Sequence, residues 1–342
     1  MKNRGWAVAL VTSGATDDAT PAAFYAHQPN RGMTYEIAMD GLRSGFDFIG
    51  GSGMHALVKD GKPSDILDRY REAGFSVNLG AEEARSNVGK AGQMVVISEN
   101  PSWTLGYAID KPQGLHLEEL VEIGMEQVKT NNPDSFFMMI EEGDIDHAGH
   151  NADGGAIIHQ TIDFQKSIAL AYEFYKQHPN ETLIVVTADH DTSGSTFGYK
   201  KGNVSNIACQ KMSKSAFGDY CRRLYASGEN VEWTDMQEIL KQNFGFGDKI
   251  QLKDSDSDRL HQKFEKMFKA RENSDEKGLY ESFDSFTVDV FKTFGQYTGL
   301  GYVIGGHTGN AVPVYAIGVG SENFDGFIDN TDIPKIILRA TE

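Results

Sequence analysis

With 342 residues, 39% of them hydrophobic and 24% charged, the chain has the make-up of an ordinary globular protein and is long enough for one large domain, or one domain with an insert. A formal net charge of −17 argues against non-specific nucleic-acid binding, which needs Lys and Arg against phosphates, so any phosphate site here must create its own local positive potential. No apolar run approaches the roughly 20 residues of a spanning helix, and Met1 to Arg4 lead straight into a strand-like segment, so neither a signal-peptide core nor a membrane span is expected.

In chain order, short apolar runs that end in Gly, Asp or Glu recur at Trp6 to Thr12, Phe46 to Ile49, Phe75 to Leu79, Met94 to Ser98, Ser135 to Glu141, Thr182 to Ala188 and Val312 to Gly318. Between them, Leu115 to Val128 and Ile157 to Tyr175 carry apolar residues at helical spacing, such as Ile158/Ile162 and Ile168/Tyr172, and are expected to cover the sheet. The alternation predicts an α/β fold with a mostly parallel central sheet flanked by helices. Phe136 to Ile140 is apolar on successive residues, and Leu183 to Val186 reads the same way, as strands buried on both faces.

From about Tyr199 to Phe294 the texture changes to helix formers and Lys/Glu mixtures, which predicts a helical insertion over residues 199–294. Within it, the acidic stretch Asp254 to Asp258 reads as a solvated loop and Asp284-Ser285 as a helix cap. Cys209 and Cys221 are compatible with either a bridge or two thiols.

Chemistry-bearing residues fall in four segments. Asp146 and His150 stand at i and i+4, so on a helix both project from one face toward one ion, and carboxylate with imidazole is a usual zinc set. Glu141, at the preceding strand end, suits a hard cation such as Mg2+. Asp189-His190-Asp191 follows a strand directly, where open α/β sheets place ligands. His307 lies in the glycine-rich Gly305-Gly306-His307-Thr308-Gly309. Asp18 and Thr20 can reach a magnesium directly or through water, Pro21 suits a helix start, and Arg31 offers a planar fork for two phosphate oxygens.

Read together, Asp18-Ala19-Thr20-Pro21-Ala22-Ala23 with Asn30-Arg31, Ile145-Asp146-His147-Ala148-Gly149-His150, Thr187-Ala188-Asp189-His190 and Gly306-His307-Thr308-Gly309 resemble the metal core of the alkaline phosphatase family. The resemblance covers nearly the whole chain outside the insertion, which occupies the position of the family's crown-like region. It implies two zinc ions and one magnesium acting as a clamp on the entering and leaving oxygens of an in-line displacement. By resemblance, Asp146, His150 and His307 hold the first zinc, Asp189 and His190 contribute to the second, and Thr20 and Glu141 hold magnesium with Asp18 acting through water. Arg31 would grip the phosphoryl oxygens and His147 would touch phosphate through water. The family further implies small phosphate monoesters as substrates, a homodimer, and a periplasmic or extracellular location.

The sequence departs from the pattern in one respect. The family's Asp-Ser-Ala type segment with the nucleophilic serine, and an aspartate shared by the second zinc and the magnesium, have no counterpart in the chain. Ser13, a few residues before Asp18 at a strand end, is a poor substitute. The expectation is an N-terminally incomplete domain of this family over residues 1–342. The alternatives are a non-catalytic metal- or phosphate-binding remnant, or a phosphodiesterase or sulfatase-type hydrolase of the same superfamily. The arginine clamp favours monoesters.

Overall fold

The computed structural model describes residues 1–341, and the chain divides into two compact units. The first comprises residues 1–106, 111–144 and 162–170; the second comprises 107–110, 145–161 and the chain from 171 onward.

The first unit is built on β1 (Ala7–Thr12), whose residues are all buried. Side chains alternate across the strand: Ala7, Ala9 and Val11 enter one core, while Leu10 enters the other. In chain order follow α1 (Ala19–Ala22), α2 (Thr34–Arg43), β2 (Phe48–Gly51) and a small hairpin of β3 (Val58–Lys59) and β4 (Lys62–Pro63). Then come α3 (Ile66–Glu72), β5 (Ser76–Leu79), α4 (Ala81–Asn87), β6 (Met94–Ile97), α5 (Leu117–Asn131) and β7 (Phe136–Glu141). Five of these strands form a parallel sheet in the order β5-β6-β2-β1-β7.

One face of the sheet packs on Leu117, Leu120, Val121 and Val128 of α5. The other packs on Ile37 and Ala38 of α2 and Ile66 and Tyr70 of α3. Close approach of α5 depends on Gly124, where a Cβ would lie 2.9 Å from the Phe48 ring. The α/β fold with a parallel central sheet and flanking helices is therefore as expected. At Phe136 to Ile140 the strand β7 pairs with β1 and is half-buried, Phe136, Met138 and Ile140 packing against one core and Met139 against the other.

The second unit contains most of α6 (Asp144–His150) and the ends of the long helix α7 (Gly154–Gln177). Asp153 caps α7 by accepting the Ala156 N–H. Ile162 and Tyr172 of that helix are exposed, so its apolar stripe does not cover a sheet along its whole length.

Beyond α7, β8 (Leu183–Thr187) pairs antiparallel with β15 (Val314–Gly318) in a two-stranded sheet. This corrects the expectation of a parallel, doubly buried strand at Leu183 to Val186, which are half-buried. Further short antiparallel pairs join β9 (Asp191–Thr192) to β14 (His307–Thr308), β10 (Thr196–Phe197) to β13 (Leu300–Gly301) and β11 (Asp275–Lys277) to β12 (Ser282–Asp284).

Helices α8 (Lys214–Ser227), α9 (Trp233–Phe244), α10 (Asp254–Phe264) and α11 (Ser285–Thr298) enclose a core of Phe217, Cys221, Leu240, Phe244, Phe264 and Phe291; α12 (Ile333–Arg339) is the last helix. Asp254 to Asp258 begin α10 instead of forming a loop. Acidic residues in a first turn meet the positive end of the helix dipole, and Asp256 is held further by Arg259 and the Tyr297 hydroxyl, each at 2.8 Å. Asp284 does cap α11, accepting the Thr287 N–H at 2.8 Å. Cys209 and Cys221 are buried free thiols, and burial pushes the Cys221 thiol well above its ordinary value. Among the described residues, no helix is long and apolar enough to cross a membrane.

Candidate metal centre

In the second unit, α6 presents Asp146 and His150 one turn apart. Asp146 Oδ1 lies 3.4 Å from His150 Nε2 and 3.8 Å from His307 Nε2. The two Nε2 atoms are 3.1 Å apart. His150 Nδ1 lies 2.7 Å from the Gly305 carbonyl, which can only accept, so the proton is on Nδ1 and the Nε2 lone pair faces the cluster.

The strand pair β9 and β14 brings His307 to this point. Thr192 sits opposite His307 and Asp191 opposite Thr308, with Thr308 donating to Asp191. His190, one residue before β9, stacks on His307 with ring centroids 3.5 Å apart. Asp146, His190 and His307 each offer a donor atom, all within 4.8 Å of one another. Asp189 stands beside His190, Oδ2 to Nε2 3.2 Å, with its side chain 67% exposed.

Three contacts at this centre were not foreseen from the sequence. Thr192 donates its hydroxyl to Asp146 Oδ1 at 2.5 Å and lies 3.4 Å from His190 Nδ1. The Gly305 carbonyl orients His150. Tyr280 packs T-shaped on the buried imidazoles of His147 and His150, with centroids at 4.6 and 5.2 Å. Thr192 and Gly305 had a signal, the one directly after Asp189-His190-Asp191 and the other in the glycine-rich loop of His307, whereas Tyr280 had none.

The remaining predicted residues lie in the first unit as separate pairings. Glu141 ends β7 and accepts the Thr12 hydroxyl at 2.5 Å; the Gly14 N–H holds that hydroxyl in turn at 3.0 Å. Asp18 caps α1, which contains the half-buried Thr20, by accepting the Ala19 N–H at 2.7 Å. Arg31, 61% exposed, donates to the same Asp18 oxygen at 2.6 Å. Burial pushes the Asp18 carboxyl up, but the Ala19 N–H and the Arg31 guanidinium outweigh it and hold the group below its ordinary value. Asp18 is thus engaged by Arg31 and Glu141 by Thr12. Ser13 is buried, donating to Glu142 at 2.6 Å and accepting the Gly143 N–H at 2.9 Å, so its hydroxyl ties β1 to the end of β7.

In the second unit, Asp146 with the imidazoles of His150 and His307, the former with one ring nitrogen fixed by a carbonyl, is a donor set that fits a zinc site, and His190 lies beside it. A family profile for alkaline phosphatase matches residues 100–342. The chain belongs to the alkaline phosphatase family.

It is 28% identical over 348 residues to alkaline phosphatase 3 of Bacillus subtilis, spanning 100% of this chain and 69% of that protein. Alkaline phosphatase 4 of the same organism is 26% identical, with 99% and 68% covered. Among solved structures, the cold-active alkaline phosphatase of a psychrophilic Shewanella sp. superposes with a TM-score of 0.80 at 23% identity, covering 100% of this chain and 77% of that one. The Thermus thermophilus alkaline phosphatase gives 0.75 at 23% identity, covering 99% and 72%. A mutant of the TAB5 alkaline phosphatase with Mg bound in its M3 site gives 0.65 at 23% identity, covering 99% and 73%. These structures share the fold.

Proposed function

We propose that the chain is a phosphoric monoester hydrolase that works with two zinc ions and one magnesium. The observation that carries this reading is that Asp146 and His307 lie together between His150 on one side and His190 on the other, each within donor distance. Asp146, His150 and His307 would hold the first zinc, His190 and Asp189 would contribute to the second, and Glu141 and Thr20, with Asp18 behind them, would serve magnesium. When bound, such ions stabilise charge on the oxygens of a transferring phosphoryl group at moderate pH.

The chain's own residues do the rest. Gly305 keeps the proton of His150 on Nδ1, and Thr192 and Thr12 hold Asp146 and Glu141 in one orientation each. Arg31, 61% exposed, would exchange Asp18 for a dianionic phosphoryl group, whose two oxygens match the guanidinium fork better than one carboxylate oxygen does. A terminal phosphate presents such a pair of oxygens with full charge, whereas a diester or sulfate ester carries less, which favours monoesters. The local cationic centre also explains how a protein of net charge −17 would attract an anion. Two parts stay unassigned: the phosphoryl acceptor, since Ser13 is committed to Glu142, and the aspartate shared by the second zinc and the magnesium.

The test compares hydrolysis of an aryl phosphate, an aryl phosphodiester and an aryl sulfate with Zn2+ and Mg2+, for this chain and for a version extended upstream with an Asp-Ser-Ala-type segment. Cleavage of the phosphate alone, gained with the extension, is expected. Preference for the diester or sulfate would overturn the reading, and zinc uptake without hydrolysis in both forms would mark a binding protein.

A further inference from the structure

Between α10 and α11 the chain makes a hairpin that the reaction as described does not use. Strands β11 and β12 pair Asp275 with Asp284 and Lys277 with Ser282, and the Gly278 N–H closes the tip on the Glu281 carbonyl at 2.7 Å. Leu279 and Tyr280 are left as the two tip residues. Gly278 is required there, because a Cβ would lie 2.8 Å from that carbonyl oxygen.

The base of the hairpin is rigid, since Asp284 is also the buried N-cap of α11. Its tip is fastened independently. Glu281 Oε2 accepts the Asn151 side-chain amide at 2.6 Å and the Ser215 hydroxyl at 2.5 Å, and Asn151 directly follows His150. Lys214 lays its ammonium over the Phe283 ring, 4.6 Å from the centroid, and donates to the Asn151 carbonyl at 2.9 Å. The hairpin is thus bound to the end of α6 through Glu281 and Phe283, the residues that follow Tyr280.

We infer that Tyr280 is a positioning residue for the metal centre: the hairpin is a strap that presses this ring against His147 and His150 and fixes the His150 imidazole for ligation, with His147 held beside it. The inference rests on the metal reading above. A histidine's χ2 is a broad torsion with two-fold alternatives, so helix geometry alone does not decide which ring nitrogen faces an ion. For His150 the Gly305 carbonyl fixes one ring edge and Tyr280 occupies its flank, at an interplanar angle of 72°. His147 meets the same ring at 68°. Ligands locked before binding lose less freedom when an ion arrives, and an apolar wall slows exchange with solvent.

The test uses the whole chain loaded with zinc and measures its release to a chromophoric chelator, with circular dichroism of the metal-free chain as the check on folding. Tyr280→Ala should release zinc roughly tenfold faster, the scale of a lost outer-sphere partner, and should alter the d–d spectrum of the cobalt(II)-substituted chain. Tyr280→Phe should restore both. In the metal-free chain, Tyr280→Ala should speed modification of His147 and His150 by diethyl pyrocarbonate. Should Tyr280→Ala fail to fold, Glu281→Gln, which loosens the tip but keeps the ring, carries the same expectations. A wild-type chain that takes up no zinc overturns the metal reading and this inference together. A wild-type chain that holds zinc no longer than Tyr280→Ala overturns this inference alone.

Discussion

Thr192 gives its hydroxyl proton to the same Asp146 oxygen that lies within 4 Å of both His150 Nε2 and His307 Nε2. A carboxylate with one oxygen oriented in this way has its remaining lone pairs directed instead of free to rotate. Removing the donor should therefore weaken ion binding with little effect on the fold. Thr192→Val is expected to raise the zinc dissociation constant roughly tenfold, in the range for outer-sphere partners, and Thr192→Ser to restore it. Chelator competition measures both, and an unchanged constant for Thr192→Val would remove the residue from the centre.

Zinc should stabilise the chain by mass action. At a free concentration one hundred times the dissociation constant the gain is about 3 kcal/mol, visible as a higher midpoint in thermal unfolding and reversed by a chelator. His307→Ala should abolish the dependence, because it removes the imidazole shared by the closest contacts of the cluster. A zinc-dependent midpoint that survives this change would place the ion elsewhere.

Arg31 is paired with Asp18 and largely exposed, so it contributes little to stability and is available to an anion. Arg31→Ala should leave the unfolding midpoint within experimental scatter while weakening inorganic phosphate binding to the metal-loaded chain roughly tenfold, about what one charge-assisted pair contributes. Arg31→Lys should recover only part, having no planar fork. Titration calorimetry with phosphate distinguishes the variants, and equal affinities would exclude Arg31 as the clamp.

Asp153 supplies a pH dependence away from the metal ligands. Burial pushes its carboxyl up to about 6 from an ordinary 3.8, against the opposing pull of Gln210, the Lys214 N–H and the Ala156 N–H. Between those values the folded chain keeps a proton that the unfolded chain has released. Its contribution is therefore complete below about pH 4 and is lost as pH rises through about 6, by up to about 3 kcal/mol. Denaturant midpoints measured across pH 4 to 6 should show this decline superimposed on other groups, and Asp153→Asn should flatten it. An identical slope in the variant would show that the carboxyl titrates normally.

The α/β alternation was legible because β1, β2 and β6 are short apolar runs whose residues enter opposite cores in turn. The ligand segments were legible because Asp146 and His150 share a helix face and His190 and His307 lie beside tight loops. What the sequence hid depends on pairing between distant segments. Leu183 to Val186 has the composition of an interior strand, yet the ladder it forms with β15 is antiparallel. Asp254 to Asp258 looked solvated because charge alone does not show that a helix dipole and Arg259 receive it. Tyr280 has no motif at all; its role follows from Glu281 gripping Asn151, 130 residues earlier in the chain.

The bare backbone at Gly124 has a practical consequence. Any side chain there would meet the Phe48 ring at 2.9 Å and the Met138 methyl at 3.1 Å. Even Gly124→Ala would have to lift α5 from its seat, at a cost of about 1 to 3 kcal/mol, so helix-strengthening substitutions at this position should lower the unfolding midpoint instead of raising it.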